Sequence, residues 1–297
     1  MDRGAKINAY MKWKPQYFIQ LACSITLLGY AFMHFLFRGF NLWKIYPSSF
    51  VKLVCRAFDI PVQAIFYKGH PTNAYLAFLI ISGSILLLSG IFTLFQHKLP
   101  KKFIPLAKVL LALSGLLILL HAFSAFVDSK LHYNVPLEFI TRASLPFICI
   151  YLLSNAYHSN KNKLVTLWLP LIIGLTFFAH GLYALRFFPI PQSFLMMTTN
   201  ILKTPRNITF NFLYLVGILD VLLLIGIFIK PVRKAFLYYA IIWGFLTALA
   251  RLVAYYNPAD MSTYILLWFP QFLIRAGHYL LPLALLFYWQ QQKKELV

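Results

Sequence analysis

The sequence predicts an all-α integral membrane protein whose eight transmembrane helices form two tandem four-helix repeats. Three observations predict it: an extreme composition, eight apolar runs of spanning length, and short matched segments in the two halves. Of 297 residues, 61% are hydrophobic and 11% charged, where soluble domains carry about 25% charged residues. A chain this apolar cannot cover a soluble core with polar surface, so the bilayer must be its solvent.

The apolar runs fall at roughly 17–37, 73–95, 103–127, 137–157, 164–187, 209–229, 234–256 and 268–289. The net charge is +20, from 27 Lys and Arg against 7 Asp and Glu. These cations flank the apolar runs, as in Lys12/Lys14, Lys98/Lys101/Lys102, Lys161/Lys163, Lys230/Arg233/Lys234 and Lys293/Lys294. That placement is the positive-inside pattern and an attraction for anionic lipid headgroups, and it argues against nucleic acid as a partner. The connectors 96–102, 158–163 and 230–233 and both tails are basic, which puts them and both termini on the cytoplasmic side of a cell inner (plasma) membrane. Opposite them, 128–136 and 257–267 hold only Lys130 between them. Segments 38–72 and 188–208 carry Phe50, Phe58, Ile65, Phe66, Phe194, Leu195 and Met196 among their polar residues, and read as amphipathic elements at the outer interface. The first apolar run is of spanning length and lacks an A-x-A exit, so no cleavable signal is expected.

Three ordered matches divide the chain into a first repeat, 1–160, and a second, 161–297. Gly29-Tyr30-Ala31-Phe32-Met33-His34 resembles Gly174-Leu175-Thr176-Phe177-Phe178-Ala179-His180. Ser84 to Phe92 matches Asp220 to Phe228, and Phe139-Ile140-Thr141-Arg142-Ala143 matches Phe272-Leu273-Ile274-Arg275-Ala276. Four spans per repeat keep both halves in one orientation, related by an axis along the membrane normal.

Ionisable residues inside a membrane are costly and are functional candidates by default. Here they are His34, His121, His180, His278, Arg142, Arg251, Arg275 and Asp220. Most fall in the outer half of the bilayer, and the second repeat holds the denser set. His180, Arg251, Arg275 and His278 are therefore expected to converge on one ligand-binding cavity, with Asp220 nearby as charge partner. Arg275 and His278 are three apart and would share a helix face. The excess positive charge suits an anionic or electron-rich ligand: a quinone carbonyl, a carboxylate or a phosphate. Blander roles compete. Arg142 could snorkel to headgroups, His34 and His121 could join helices, and Asp220 could form a structural ion pair with Arg251 or Arg275.

Haem would need two facing His at matched depth, for which His34 and His180 are the best pair. No ligand spacing for zinc, nucleophile elbow, phosphate loop or dinucleotide fingerprint occurs. Cys23 and Cys149 read as small packing residues. Asn207-Ile208-Thr209 fits a glycosylation sequon but abuts the sixth run, where helix capping accounts for it.

The stretch Gly174-Leu175-Thr176-Phe177-Phe178-Ala179-His180-Gly181-Leu182-Tyr183-Ala184-Leu185 resembles the first-span His-Gly signature of the DoxX-like four-helix membrane family. The interfacial stretch after it and the Leu-rich span with Gly at 209–229 fit the same pattern, while Trp243 to Arg251 and Arg275-Ala276-Gly277-His278 look like segments of bacterial membrane proteins of this general build. The resemblance covers 165–290, and the first half only through the repeat, where Phe35 rather than Gly follows His34. It implies a quinone-side or redox-accessory role. Three functions are compatible with these residues: an accessory subunit holding a lipophilic ligand and meeting a protein partner on the outer face, a transporter of a small anion or lipid-linked substrate, and a structural or assembly protein without ligand.

Overall fold

The computed structural model describes residues 15–36, 55–57, 59, 61, 66–67, 70–154 and 163–295. The described residues are helical apart from turns and a two-residue antiparallel pairing of Phe66–Tyr67 with His70–Pro71. In chain order the helices are α1 (Pro15–Phe35), α2 (Asn73–Leu94), α3 (Ile104–Asp128), α4 (Asn134–Leu153) and α5 (Leu169–Ala184, entered through a wide π-type turn at Leu164–Trp168). There follow α6 (Gln192–Leu202), α7 (Arg206–Gly226), α8 (Arg233–Ala254), α9 (Met261–Leu273) and α10 (Ala276–Glu295). Among the described residues, eight segments are long and apolar enough to cross a membrane, the eighth being the pair α9 and α10.

Burial separates these helices into two layers. α1, α4, α5 and α10 pack on one another and form the centre, with α2, α3, α7 and α8 around them. Two thirds of the α1 span is buried (67%), against 28% for α3 and for α8. The outer helices turn apolar side chains outward: Ile81, Leu116, Ile225 and Ile242 are 58–62% exposed. Apolar faces this wide would aggregate in water and are what lipid tails contact.

Small residues set the closest approaches. Ser24 Oγ donates to the Gly90 carbonyl at 2.8 Å, joining α1 to α2. A Cβ on Gly181 would stand 2.9 Å from the Gly217 carbonyl oxygen, so α5 and α7 touch backbone to backbone. α5 stops where Arg186 takes a left-handed conformation (φ 65°). The Phe187 and Arg186 amides then donate to the Leu182 and Tyr183 carbonyls, as in a Schellman cap, though with Arg where Gly is usual. The reversal sends the chain into α6, an 11-residue helix packed on α8 and α7. This is where the second amphipathic stretch, 188–208, was expected. Most of the first, 38–72, lies outside the described residues, as do the N-terminal tail and the connector around Lys161.

The eighth run departs from expectation. Instead of one helix over 268–289, the chain forms α9, breaks at Ile274 and Arg275, and resumes as α10. The Arg275 amide donates to Phe272 at 3.2 Å, one residue short of the α-helical partner, while its guanidinium takes the Gln271 carbonyl at 2.7 Å. Arg275 thus sits in the break, just before α10, and does not share a helix with His278. Asn207 is corrected too: α7 has Pro205 at its N-cap and no side-chain cap, and Thr209 bonds back to the Pro205 carbonyl.

Alternation of eight spans makes a topological prediction. Reporter fusions after Lys98 and at Asn257 should fall on opposite sides of the membrane. The same side for both would mean that one apolar segment does not cross.

Candidate functional site

A cavity of about 330 Å³ lies in the second half, between α5, α6, α7 and α8 and the break between α9 and α10. Its walls are apolar, from Phe177, Phe194, Met197, Leu213, Trp243 and Leu246 among others. All five residues singled out from the sequence line it: His180, Asp220, Arg251, Arg275 and His278. The helices deliver four of them from their ends. His180 and Arg251 lie towards the C-terminal ends of α5 and α8, Arg275 in the break, and His278 in the first turn of α10.

The two arginines are held in the same way. Arg251 Nη1 donates to the Thr247 carbonyl at 2.7 Å. Arg275 Nη1 donates to the Gln271 carbonyl at 2.7 Å and to Gln271 Oε1 at 3.0 Å. Each guanidinium is therefore fixed through one nitrogen to a residue four positions back, and neither bonds a carboxylate. Burying an unpaired cation costs several kcal/mol, so a site of this kind is poised for an anion or a strong acceptor.

The histidines face each other. His180 Nε2 lies 3.5 Å from His278 Nε2, with ring centroids 5.6 Å apart. One ring must present its nitrogen as donor and the other as acceptor. Phe194 flanks His180 at 5.7 Å and Phe177 flanks His278 at 6.4 Å, centroid to centroid. The Nδ1 atoms of both rings are buried and make no hydrogen bond.

Asp220 does not serve as the charge partner. Its carboxylate accepts the Tyr239 hydroxyl at 2.6 Å. The reason is placement: Asp220 lies four turns into α7, beside the Tyr239 hydroxyl of α8. The His34–His180 pair is likewise not assembled. His34 Nδ1 lies 2.6 Å from Ser82 Oγ, joining α1 to α2, while His180 faces His278. His121 packs edge-on to Tyr30 at 5.3 Å. Among the described residues no three His, Cys, Asp or Glu converge as a metal site.

Arg142 does not snorkel. It is 3% exposed, its guanidinium lies 4.3 Å above the Phe139 ring centre, and its Nε is a buried donor without a partner. Two further polar groups belong with it. Glu138 stands one turn earlier on the same helix. Gln271 holds Arg275. A signal for both was present: a polar residue stands four positions before each of these arginines, as Glu138/Arg142, Thr247/Arg251 and Gln271/Arg275. Cys23 and Cys149, which pack as expected, meet side chain to side chain in the α1–α4 contact.

Comparison with protein families, with curated proteins and with solved structures finds no match to this chain.

Proposed function

We propose that the chain is a multi-pass inner-membrane protein that binds an amphiphilic ligand with an anionic or electron-rich head group, in the manner of a redox accessory subunit. Both termini face the cytoplasm in this reading. One observation carries it: an apolar cavity bounded by two arginines that are anchored to their own helices and paired with no carboxylate. The apolar walls suit a hydrocarbon tail, and the guanidiniums with His180 and His278 supply donors for a carboxylate, phosphate or quinone carbonyl.

A duplicated DoxX-like build belongs to the same proposal. Its support is the packing pattern. α1 pairs with α2 as α5 pairs with α7, α3 with α4 as α8 with α10, and α4 meets α5 as α10 meets α1. The halves have diverged at the arginine positions: Arg142 lies within a continuous α4, whereas Arg275 interrupts its span.

That interruption favours transport of a small anion or lipid-linked substrate as a second reading, because broken helices at depth often line substrate sites. Mass spectrometry of lipids extracted from the purified protein tests the first reading, with an amphiphile enriched over bulk lipid as the expected result. Flux of such an amphiphile or anion across proteoliposomes, with no retained ligand, would favour transport instead.

A further inference from the structure

The cavity is closed on one side and open on the other. Phe177, Asp220 and His278, on its buried wall, are 2–3% exposed. Ile201 and Leu202 at the end of α6, and Leu246 and Val253 on α8, line the same cavity yet are 38–54% exposed. These four side chains form a rim, and every one is apolar. At one end the rim is bridged: Asn200 Nδ2 donates to the Ala254 carbonyl at 3.3 Å, tying α6 to the last residue of α8. Just beyond, Tyr255 stacks on Trp268 at 3.7 Å, and Tyr264 donates to the Leu252 carbonyl at 3.0 Å. Tyr and Trp gather where a bilayer meets water, so the bridge stands at that boundary. Leu246, two turns before Ala254, opens beneath it onto lipid tails. Arg251, one turn before Tyr255, lies at the depth of lipid head groups.

We propose that the ligand is a one-chain membrane lipid with an acidic head, which enters sideways from the bilayer through this rim and rests with its head at Arg251 and Arg275. The inference rests on the cavity reading given above and names the source and shape of its ligand. The lining runs over Trp243 to Val253 on α8 and Phe212 to Asp220 on α7, which is about 12–15 Å at the helical rise per residue. An extended chain advances about 1.2 Å per bond, so roughly ten to twelve carbons span that length. A methylene fills roughly the 30 Å³ of a water molecule, so the cavity of about 330 Å³ holds about eleven. Length and volume agree on one chain, and a second has no room inside. A small anion from water would have to pass the four apolar rim side chains to reach the arginines. A tail already in the bilayer meets that rim first, and its head then finds guanidinium donors that bond no carboxylate.

The test follows capture of dodecyl phosphate by the full chain in nanodiscs of zwitterionic lipid, with bound lipid counted by native mass spectrometry over time. Wild type should take up one molecule per chain. Leu246→Trp, which sets an indole in the mouth, should slow capture about tenfold. Ile225→Trp, on an exposed face of α7 outside the cavity, should capture at the wild-type rate. Should Leu246→Trp fail to accumulate, Ile201→Trp on the opposite rim repeats the test. Leu246→Cys, read against the buried cysteines of wild type, should react with a membrane-soluble alkyl maleimide and not with a charged, impermeant thiosulfonate. Capture at the wild-type rate by the rim variants, or reaction of Leu246→Cys with the charged reagent, overturns sideways entry. Dilauroyl phosphatidic acid, which carries the same type of head on two chains, should be retained about tenfold less than dodecyl phosphate; equal or greater retention overturns the one-chain class. If Arg251→Ala retains dodecyl phosphate as wild type does, the cavity reading itself fails, a result distinct from the others.

Discussion

Replacement of Arg251 or Arg275 by alanine should strip ligand from the cavity while the chain still inserts and folds. Each guanidinium is anchored through one nitrogen to a residue of its own segment, Arg251 to the Thr247 carbonyl and Arg275 to Gln271. Neither holds another helix in place through an ion pair, so its removal does not orphan a partner carboxylate. A hydrogen bond to a charged group contributes about 1.5–3 kcal/mol, which for each arginine is a loss of roughly tenfold to a hundredfold in ligand affinity. The double variant should lose retention altogether. Lysine should restore only part of the affinity, since a point charge does not reproduce the fork. The measurement is ligand retained per chain after purification, beside the yield of folded protein. Loss of accumulation in the alanine variants, with full rescue by lysine, would mean that these cations are structural.

Gly244→Ala should be the most damaging single methyl in the second half. A Cβ there would lie 2.5 Å from the His278 carbonyl oxygen and 2.9 Å from its carbonyl carbon. Both atoms are backbone, so no rotamer change relieves the contact, and α8 must move off α10. Alanine at a helix interior is otherwise favoured over glycine by about 1 kcal/mol, and overpacking typically costs about 1–3 kcal/mol. A net loss of about 2 kcal/mol or more is expected, with ligand retention falling because Arg251 moves with α8. Gly115→Ala is the matched comparison. Its Cβ would meet the Phe147 ring at 2.5 Å, but Phe147 is 40% exposed at the periphery and is free to swing away. Thermal midpoints of the two variants should therefore differ, with Gly244→Ala much the lower. Equal midpoints would mean that α8 and α10 are not in contact at this glycine.

The eight apolar segments were legible because composition and length alone report a spanning run, and their ends agree with the helices to within a few residues for seven of the eight. The eighth was misread because its break is made by a side chain: the Arg275 guanidinium takes the Gln271 carbonyl while its amide turns to Phe272. Hydropathy does not register that substitution. The five cavity residues were legible from the cost of placing charge in an apolar run. Their partners were not, because Asp220 finds Tyr239 through the α7–α8 contact, which no spacing along the chain reports.

Native mass spectrometry of the purified wild-type chain, released from a mild detergent, tests the central claim most directly. The account predicts one amphiphile per chain, retained at activation energies that strip bulk lipid and absent from the Arg251→Ala/Arg275→Ala variant. A bare chain mass for wild type, or the same adduct on the double variant, would contradict it.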